Sequence, residues 1–241
     1  MAGYIDLHSH WIPGIDDGVR SAEEGIALLA ALQSLGFDTV IATPHMRPGM
    51  FDNEKAGIEA AYASMHAQLP QAASMPEVAL SSEHFFDDVV FGRLMSGEAL
   101  PYPGGRAVLI EFSADQLPAR LNDRLFDLRR KGLRPVIAHP ERYSPVWKHI
   151  EIVEDLVERG NVLLMDVGAL AGKYGRSPRK AAERMLELGL YYAVCSDAHR
   201  PSDAQAVAEG IGRMQSIVGA EEARFLLCDG PRGILDGKVE L

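Results

Sequence analysis

"GYIDLHSHWIPGIDDG", Gly3 to Gly18, begins as an apolar run, ends that run on two histidines one residue apart, and follows them with two adjacent aspartates. Residues two apart on a β-strand share a face, so His8 and His10 can aim both imidazoles at one point. That is a chelating geometry at a strand end. Short apolar runs closed by polar residues recur in "FDTVIATPH", "PEVALSSEH", "AVLIEFS", "RPVIAHPERY", "NVLLMDVG" and "YYAVCSDAH", seven runs in all. Longer helical patterns separate them, and the alternation predicts β/α units around a parallel sheet. The helices carry their own signals. "SAEEGIALLAALQSLG" starts at Ser21 as N-cap with Glu24 completing a capping box and stops at Gly36. "SPRKAAERMLELG" is expected to start at Ser177, with Pro178 in the first helical position.

The chemically capable residues fall at the ends of these runs. His8 and His10 close the first, His45 the second, Glu83 the third, Glu111 the fourth, His139 the fifth, and Asp197 with His199 the seventh. In closed parallel barrels the C-terminal rim is where active sites assemble, so these residues would converge. One histidine at a strand end is ordinarily structural, but six strands ending in ligand-type side chains point to a metal site. Asp166 lies inside the sixth run and reads as a structural carboxylate or one that orients a ligand.

With 241 residues, 47% of them hydrophobic, the chain can bury a substantial core. No linker or composition shift divides it, so a single domain over 1–241 is expected. A formal net charge of −10 argues against nucleic acid as the main partner, because such binding rests on clustered Lys and Arg. No apolar run is long enough to span a bilayer, and no basic-then-apolar leader opens the chain. A cytoplasmic protein without membrane insertion is expected. Cys195 and Cys228 are too few for a disulfide framework.

Taken in order, "DLHSH", "GIDDG", "IATPH", Glu83, "LIEFS", "VIAHPERY" and "CSDAH" resemble the motif series of the PHP (polymerase and histidinol phosphatase) family over about residues 4–205, and within it the bacterial capsule-type PHP tyrosine phosphatases. The resemblance implies a distorted seven-stranded (β/α)7 TIM-like barrel with two to three divalent metal ions. It assigns His8, His10, Glu83 and Asp197 to one metal, and Glu83, Glu111 and His139 to a second, with Glu83 bridging. Asp17, His45 and His199 would hold a third. Asp16 then reads as a loop residue or an orienting carboxylate. The chain departs from the family pattern at "SSEHFFDD", where His84 is expected to be a substrate contact or a rim residue.

Imidazole and carboxylate donors without a thiolate suit manganese, iron or zinc. Two metals sharing a carboxylate can generate a hydroxide nucleophile near neutral pH, and phosphoester hydrolysis follows. Arg142 and Arg200 stand beside ligand motifs and match arginines that bind phosphate in the family; an Arg142–Glu141 salt bridge is the competing reading, and Arg47 is a third candidate. A cysteine nucleophile is disfavoured, since only four residues separate Cys195 from Arg200 and no glycine-rich cradle lies between them. Cys195 reads as a small apolar residue near the rim, and Cys228 as packing in the last helix.

The family resemblance implies a metal-dependent protein-tyrosine phosphatase whose partner is a phosphotyrosine-bearing bacterial autokinase in capsule or exopolysaccharide regulation. Phe85, Phe86 and Tyr143 are expected to offer apolar surface to the substrate ring, or the two phenylalanines to pack a loop onto the barrel. The alternatives are a histidinol-phosphatase-like enzyme for small phosphomonoesters, a non-catalytic PHP module, or a nuclease.

Overall fold

The computed structural model describes residues 3–71 and 75–239. In chain order the elements are β1 (Tyr4–Ser9), α1 (Ala22–Ser34), β2 (Phe37–Ala42), β3 (His45–Met46), α2 (Lys55–His66), β4 (Glu77–Leu80), β5 (Glu83–Phe85), α3 (Asp88–Ser96), β6 (Ala107–Glu111), α4 (Leu121–Arg130), β7 (Arg134–Ala138), α5 (Ser144–Lys148), α6 (Glu151–Glu158), β8 (Val162–Asp166), α7 (Gly168–Ala171), α8 (Arg176–Glu187), β9 (Ala193–Cys195), α9 (Ala204–Arg224) and α10 (Gly230–Leu235). A π-helical turn, Phe225–Asp229, joins the last two helices.

All seven apolar runs form strands, and all named pairings are parallel. The expected single closed seven-stranded sheet is not what they build. The strands lie in a three-stranded sheet, β1-β2-β4, and a six-stranded sheet, β3-β5-β6-β7-β8-β9. The second and third runs each break in two, at Thr43–Pro44 and at Ser81–Ser82. Pro44 has no N–H to give a ladder. Its carbonyl instead accepts from the Glu83 amide at 3.1 Å and from the Ser82 hydroxyl at 2.8 Å. At the other edge β1 meets the end of β9 through one parallel bridge, Ser9–Ala198.

Successive strand side chains point to opposite faces, and both faces are buried here. Leu7, Ile41, Leu109, Val136, Leu164 and Ala193 pack into an inner cluster, closed below by Tyr102, Ile234 and Leu235. Val40, Val108, Ile110, Ile137, Leu163 and Val194 alternate with them and join the larger cluster beneath the helices. Local signals set the helix ends. The Ser21 hydroxyl accepts from the Glu24 amide at 3.3 Å, but the Glu24 carboxylate accepts from Arg20 rather than Ser21, so the box closes one residue early. α8 starts at Arg176, one residue before the expected Ser177, because Gly175 takes φ 92° just ahead of it.

Candidate metal centre

The rim residues converge as their strand positions predict. His8 and His10 are wholly buried, and an oriented partner fixes each ring. The Thr43 hydroxyl donates to the Ser9 carbonyl, so it accepts from His8 Nδ1 at 2.5 Å. His8 Nε2 is thereby left facing Glu83 at 3.3 Å and Asp197 at 3.2 Å. Asp16 accepts from His10 Nδ1 at 2.8 Å, which turns His10 Nε2 toward Asp197 at 3.4 Å. A carboxylate or hydroxyl on the far nitrogen is what orients a ligating histidine. His139 and Asp197 sit in left-handed backbone, at φ 33° and 41°, a conformation that side chains rarely adopt and that clusters at functional sites.

Glu83 lies at the centre. Its Oε1 is 2.9 Å from His139 Nε2 and its Oε2 is 2.9 Å from His45 Nδ1, with Glu111 Oε2 3.7 Å from the same His45 nitrogen. Asp17 Oδ1 stands 3.4 Å from His45 Nε2 and 3.5 Å from His199 Nε2. Four groups of donors are close enough to share an ion: His10, Asp17, His45 and His199; His8, His10 and Asp197; His8, Glu83 and His139; and His45, Glu83 and Glu111. The third expected set recurs with His10 added. The second divides, His139 siding with His8 and Glu111 with His45, and Glu83 is common to both.

Crowding shows in the protonation of these groups. Burial disfavours the Glu83 charge, but His8 and His45 outweigh it and hold the carboxyl well below its usual range. Burial and the charge of Glu83 push Glu111 up to about 7. His45 is raised to about 11 against its burial by Glu83 and Asp17. Burial and the Arg142 charge push His139 down to about 4. The residues fit divalent cations on a further observation. His8 Nε2, His10 Nε2, His45 Nδ1, His139 Nδ1, Glu111 Oε2 and Asp197 Oδ1 are buried without a hydrogen-bond partner, although such atoms are normally satisfied. They are the donors a hard or borderline cation takes.

The capsular polysaccharide synthesis CpsB/CapC family model matches residues 4–236. The chain belongs to this family. The tyrosine-protein phosphatase YwqE of Bacillus subtilis is 32% identical over 195 residues, 81% of this chain and 77% of that protein. The tyrosine-protein phosphatase CpsB of Streptococcus pneumoniae is 30% identical over 240 residues, covering 96% of this chain and 98% of its own. A crystal structure from work on YwqE and CpsB, described as unique metal-dependent tyrosine phosphatases, superposes with a TM-score of 0.89 at 28% identity, over 98% of this chain and 96% of that one.

An open cleft above the CpsB/CapC donor cluster is lined by Asp17, His45, Arg47, Met50, Phe51, Glu83, Glu111, His139, Arg142, Asp197 and His199. Arg142 does not pair with Glu141. Its Nη1 donates to Asp197 Oδ2 at 2.6 Å, and its guanidinium lies 4.5 Å from the Tyr174 ring centroid. Glu141 is buried, accepting from the Asp166 amide and the Tyr191 hydroxyl, and burial with the Asp166 charge pushes its carboxyl up to about 8. Arg200 is placed differently from Arg142. Its Nη1 donates to the carbonyls of Asp17, Gly18 and His199, so it ties down the loop that carries Asp17.

At the departure from the family pattern the expectation for His84 is corrected, and of the two readings of Phe86 the packing one is found. His84 is neither rim nor substrate contact: it is wholly buried, its Nδ1–H donates to the Leu109 carbonyl at 2.8 Å, and its Nε2 accepts from the Leu100 amide at 3.3 Å. Phe86 and Tyr143 are core residues, and the Tyr143 hydroxyl donates to Ala138 and accepts from Phe112. Arg47 covers the Phe85 ring at 4.1 Å. Cys195 is buried, with its thiol on the Met165 carbonyl and pushed well above its ordinary value by burial. Asp166, also buried, accepts from the Gly168 amide and belongs to none of the four donor groups named above. Sequence reasoning missed Lys173, whose ammonium donates to the Asp197 carbonyl at 3.1 Å, and the cleft residues Met50 and Phe51.

Proposed function

We propose that this protein is a metal-dependent phosphomonoesterase that hydrolyses phosphotyrosine on a protein, a bacterial tyrosine autokinase in the control of capsule or exopolysaccharide export, and that it works in the cytoplasm. The observation that carries the reading is the set of buried, partnerless donor atoms from five strand ends beneath one cleft, with Glu83 of a sixth at their centre. The similarity to the tyrosine-protein phosphatases YwqE and CpsB supports the substrate class. We further infer that residues 1–241 act as one domain and that the two sheets behave as one distorted seven-stranded barrel. The inner apolar cluster and the Ser9–Ala198 bridge support that inference.

His8, His10, Asp17, His45, Glu83, Glu111, His139, Asp197 and His199 would hold two or three cations of the manganese, iron or zinc class. When bound, these supply Lewis-acid activation of water and neutralise charge on the phosphoryl oxygens. The chain's own contribution is positional. Arg142 presents a planar fork, braced by Asp197 and the Tyr174 ring, to the phosphate oxygens. Arg200 fixes the Asp17 carbonyl and with it the reach of the Asp17 side chain. No helix among the described residues is long and apolar enough to cross a membrane.

A phosphatase panel tests the reading, using phosphotyrosine and phosphoserine peptides, histidinol phosphate and a phosphodiester, each with and without manganese. Metal-dependent turnover with the highest kcat/KM on the phosphotyrosine peptide is expected. A preference for histidinol phosphate would overturn the substrate class, and turnover indifferent to chelation would overturn the metal chemistry.

A further inference from the structure

The cleft has one wall that the metal chemistry does not use. After His45 and Met46 the chain makes a tight reversal: the Arg47 amide donates to the Phe51 carbonyl at 3.1 Å and the Phe51 amide to the Arg47 carbonyl at 2.8 Å. Gly49 takes φ 81° at the turn, and its amide is capped by Asp52 Oδ1 at 2.6 Å. The Asn53 side-chain amide donates to the carbonyls of Ile15 and His45, both at 2.8 Å, and Arg93 donates to the Asn53 carbonyl at 2.9 Å. This hairpin is fixed at both ends, so the side chains it carries are held in place.

Those side chains are apolar and face the cleft. Met50 is 60% exposed, the most exposed large hydrophobic residue among the described residues, and it lines the cleft together with Phe51. The Phe51 ring stacks on the His45 imidazole, with centroids 5.1 Å apart and planes 9° apart. Phe51 is the only Phe, Tyr or Trp among the described residues lining the cleft. The exposed thioether leaves apolar surface in water at the cleft edge, which an apolar group bound beside it would cover. Methionine is adaptable and makes favourable contacts with aromatic ring edges, and an aromatic ring offers an edge or face to a second ring.

We propose that Met50 and Phe51 form an aryl-binding lip that receives the ring of an aryl phosphate while its phosphoryl group sits over the donor cluster. The inference rests on the phosphatase reading and adds to it a source of discrimination. In ground-state binding the donors and Arg142 meet the same phosphoryl group on tyrosine and on serine, so they do not separate the two esters by affinity. A contact beyond the ester oxygen does, and this lip is an apolar surface beside the donors.

Binding of non-hydrolysable ligands to the metal-loaded protein tests it by calorimetry. Phenylphosphonate should bind about tenfold more tightly than methylphosphonate, the order of discrimination an apolar contact supplies. Met50→Ser and Phe51→Leu should each shrink that ratio several-fold. The ratio cancels any general disturbance of His45, and leucine keeps an apolar cover on that ring. Equal binding of the two phosphonates by the wild type, or an undiminished ratio in both variants, overturns the lip. The two readings fail separately: a ring preference without turnover of a phosphotyrosine peptide removes the tyrosine-phosphatase reading and keeps the lip, whereas such turnover without a ring preference does the reverse.

Discussion

Asp16 and Asp17 are adjacent, yet they do different things because their side chains point to opposite sides of the loop. Asp16 is turned inward and accepts from His10 Nδ1, from the Gly18 amide at 2.9 Å and from the His45 amide at 3.2 Å. Asp17 is 58% exposed and reaches over the cleft to His45 and His199. Asp16→Asn can still meet His10 but no longer fixes the Nδ1–H tautomer by charge, so metal affinity should fall about 10- to 100-fold. Metal titration followed by activity checks this; wild-type affinity would show that His10 needs no orienting partner. His84 illustrates the opposite case, a polar residue that serves the core. Burial pushes it from 6.5 down to about 4, so it is neutral when folded. The unfolded chain binds that proton more tightly, so the stability it carries is full above pH 6.5 and is lost as the pH falls toward 4. The shift is worth roughly 3 kcal/mol. Urea denaturation across this window should show a steeper loss for the wild type than for His84→Gln, which cannot titrate; parallel curves would show that His84 charges freely in the folded state.

At the scale of elements, the loop from Gly14 to Val19 is the part of the site most sensitive to a single atom. The Gly14 amide donates to the Val19 carbonyl and the Val19 amide to the His10 carbonyl, both at 3.2 Å, closing the loop over β1. A Cβ on Gly18 would lie 2.3 Å from the His10 carbonyl oxygen and 2.8 Å from Asp16 Oδ1. Gly18→Ala must therefore push the loop outward, taking Asp16 from His10 and Asp17 from His45. The fold should persist, because Val19 and Ile15 are the loop's only members of the large apolar cluster, while bound metal drops by at least one equivalent. Elemental analysis decides it, and full metal content would show that the loop can relax without moving its carboxylates. The candidate donors other than Asp17 were legible in the sequence because each is a polar residue closing an apolar run, whereas Asp17 was named only through the family resemblance. The split of two runs was not, since the hydrogen bonding around Pro44 and Ser82 leaves the apolar pattern unchanged. Met50 and Phe51 were illegible for a related reason: apolar loop residues carry no chemical signature, and only the Arg47–Phe51 hairpin turns them toward the cleft. His84 and Tyr143 were misread because their partners, Leu100, Leu109, Ala138 and Phe112, are distant backbone groups.

Across the whole molecule, the three-stranded and six-stranded sheets adjoin where β1 meets the end of β9. The backbone contributes the Ser9–Ala198 bridge, with the Asp197 amide on the His8 carbonyl at 3.0 Å and the His10 amide on the Ala198 carbonyl at 2.9 Å. Asp6 adds a side-chain staple, accepting from the Ser196 hydroxyl at 2.5 Å and its amide at 2.9 Å. The donors His8 and His10 lie on one side of this seam and Asp197 and His199 on the other. Cations bound between them would link the first strand to the last, so metal binding should close the seam as well as supply the chemistry. A ligand that binds only the folded state stabilises it by about 2.7 kcal/mol at a hundredfold excess over its Kd. In a chain of this size that is roughly 5–10 °C in Tm. Chelation should lower Tm by that order, and hydrogen exchange should show where the stability is lost. The amides of His10, Asp197 and Ala198 should exchange faster in the chelated protein, while those at the starts of β6 and β7, at the strand ends opposite Glu111 and His139, should change little. Uniform acceleration across all strands would mean that the cations stabilise the fold as a whole and that the seam holds without them.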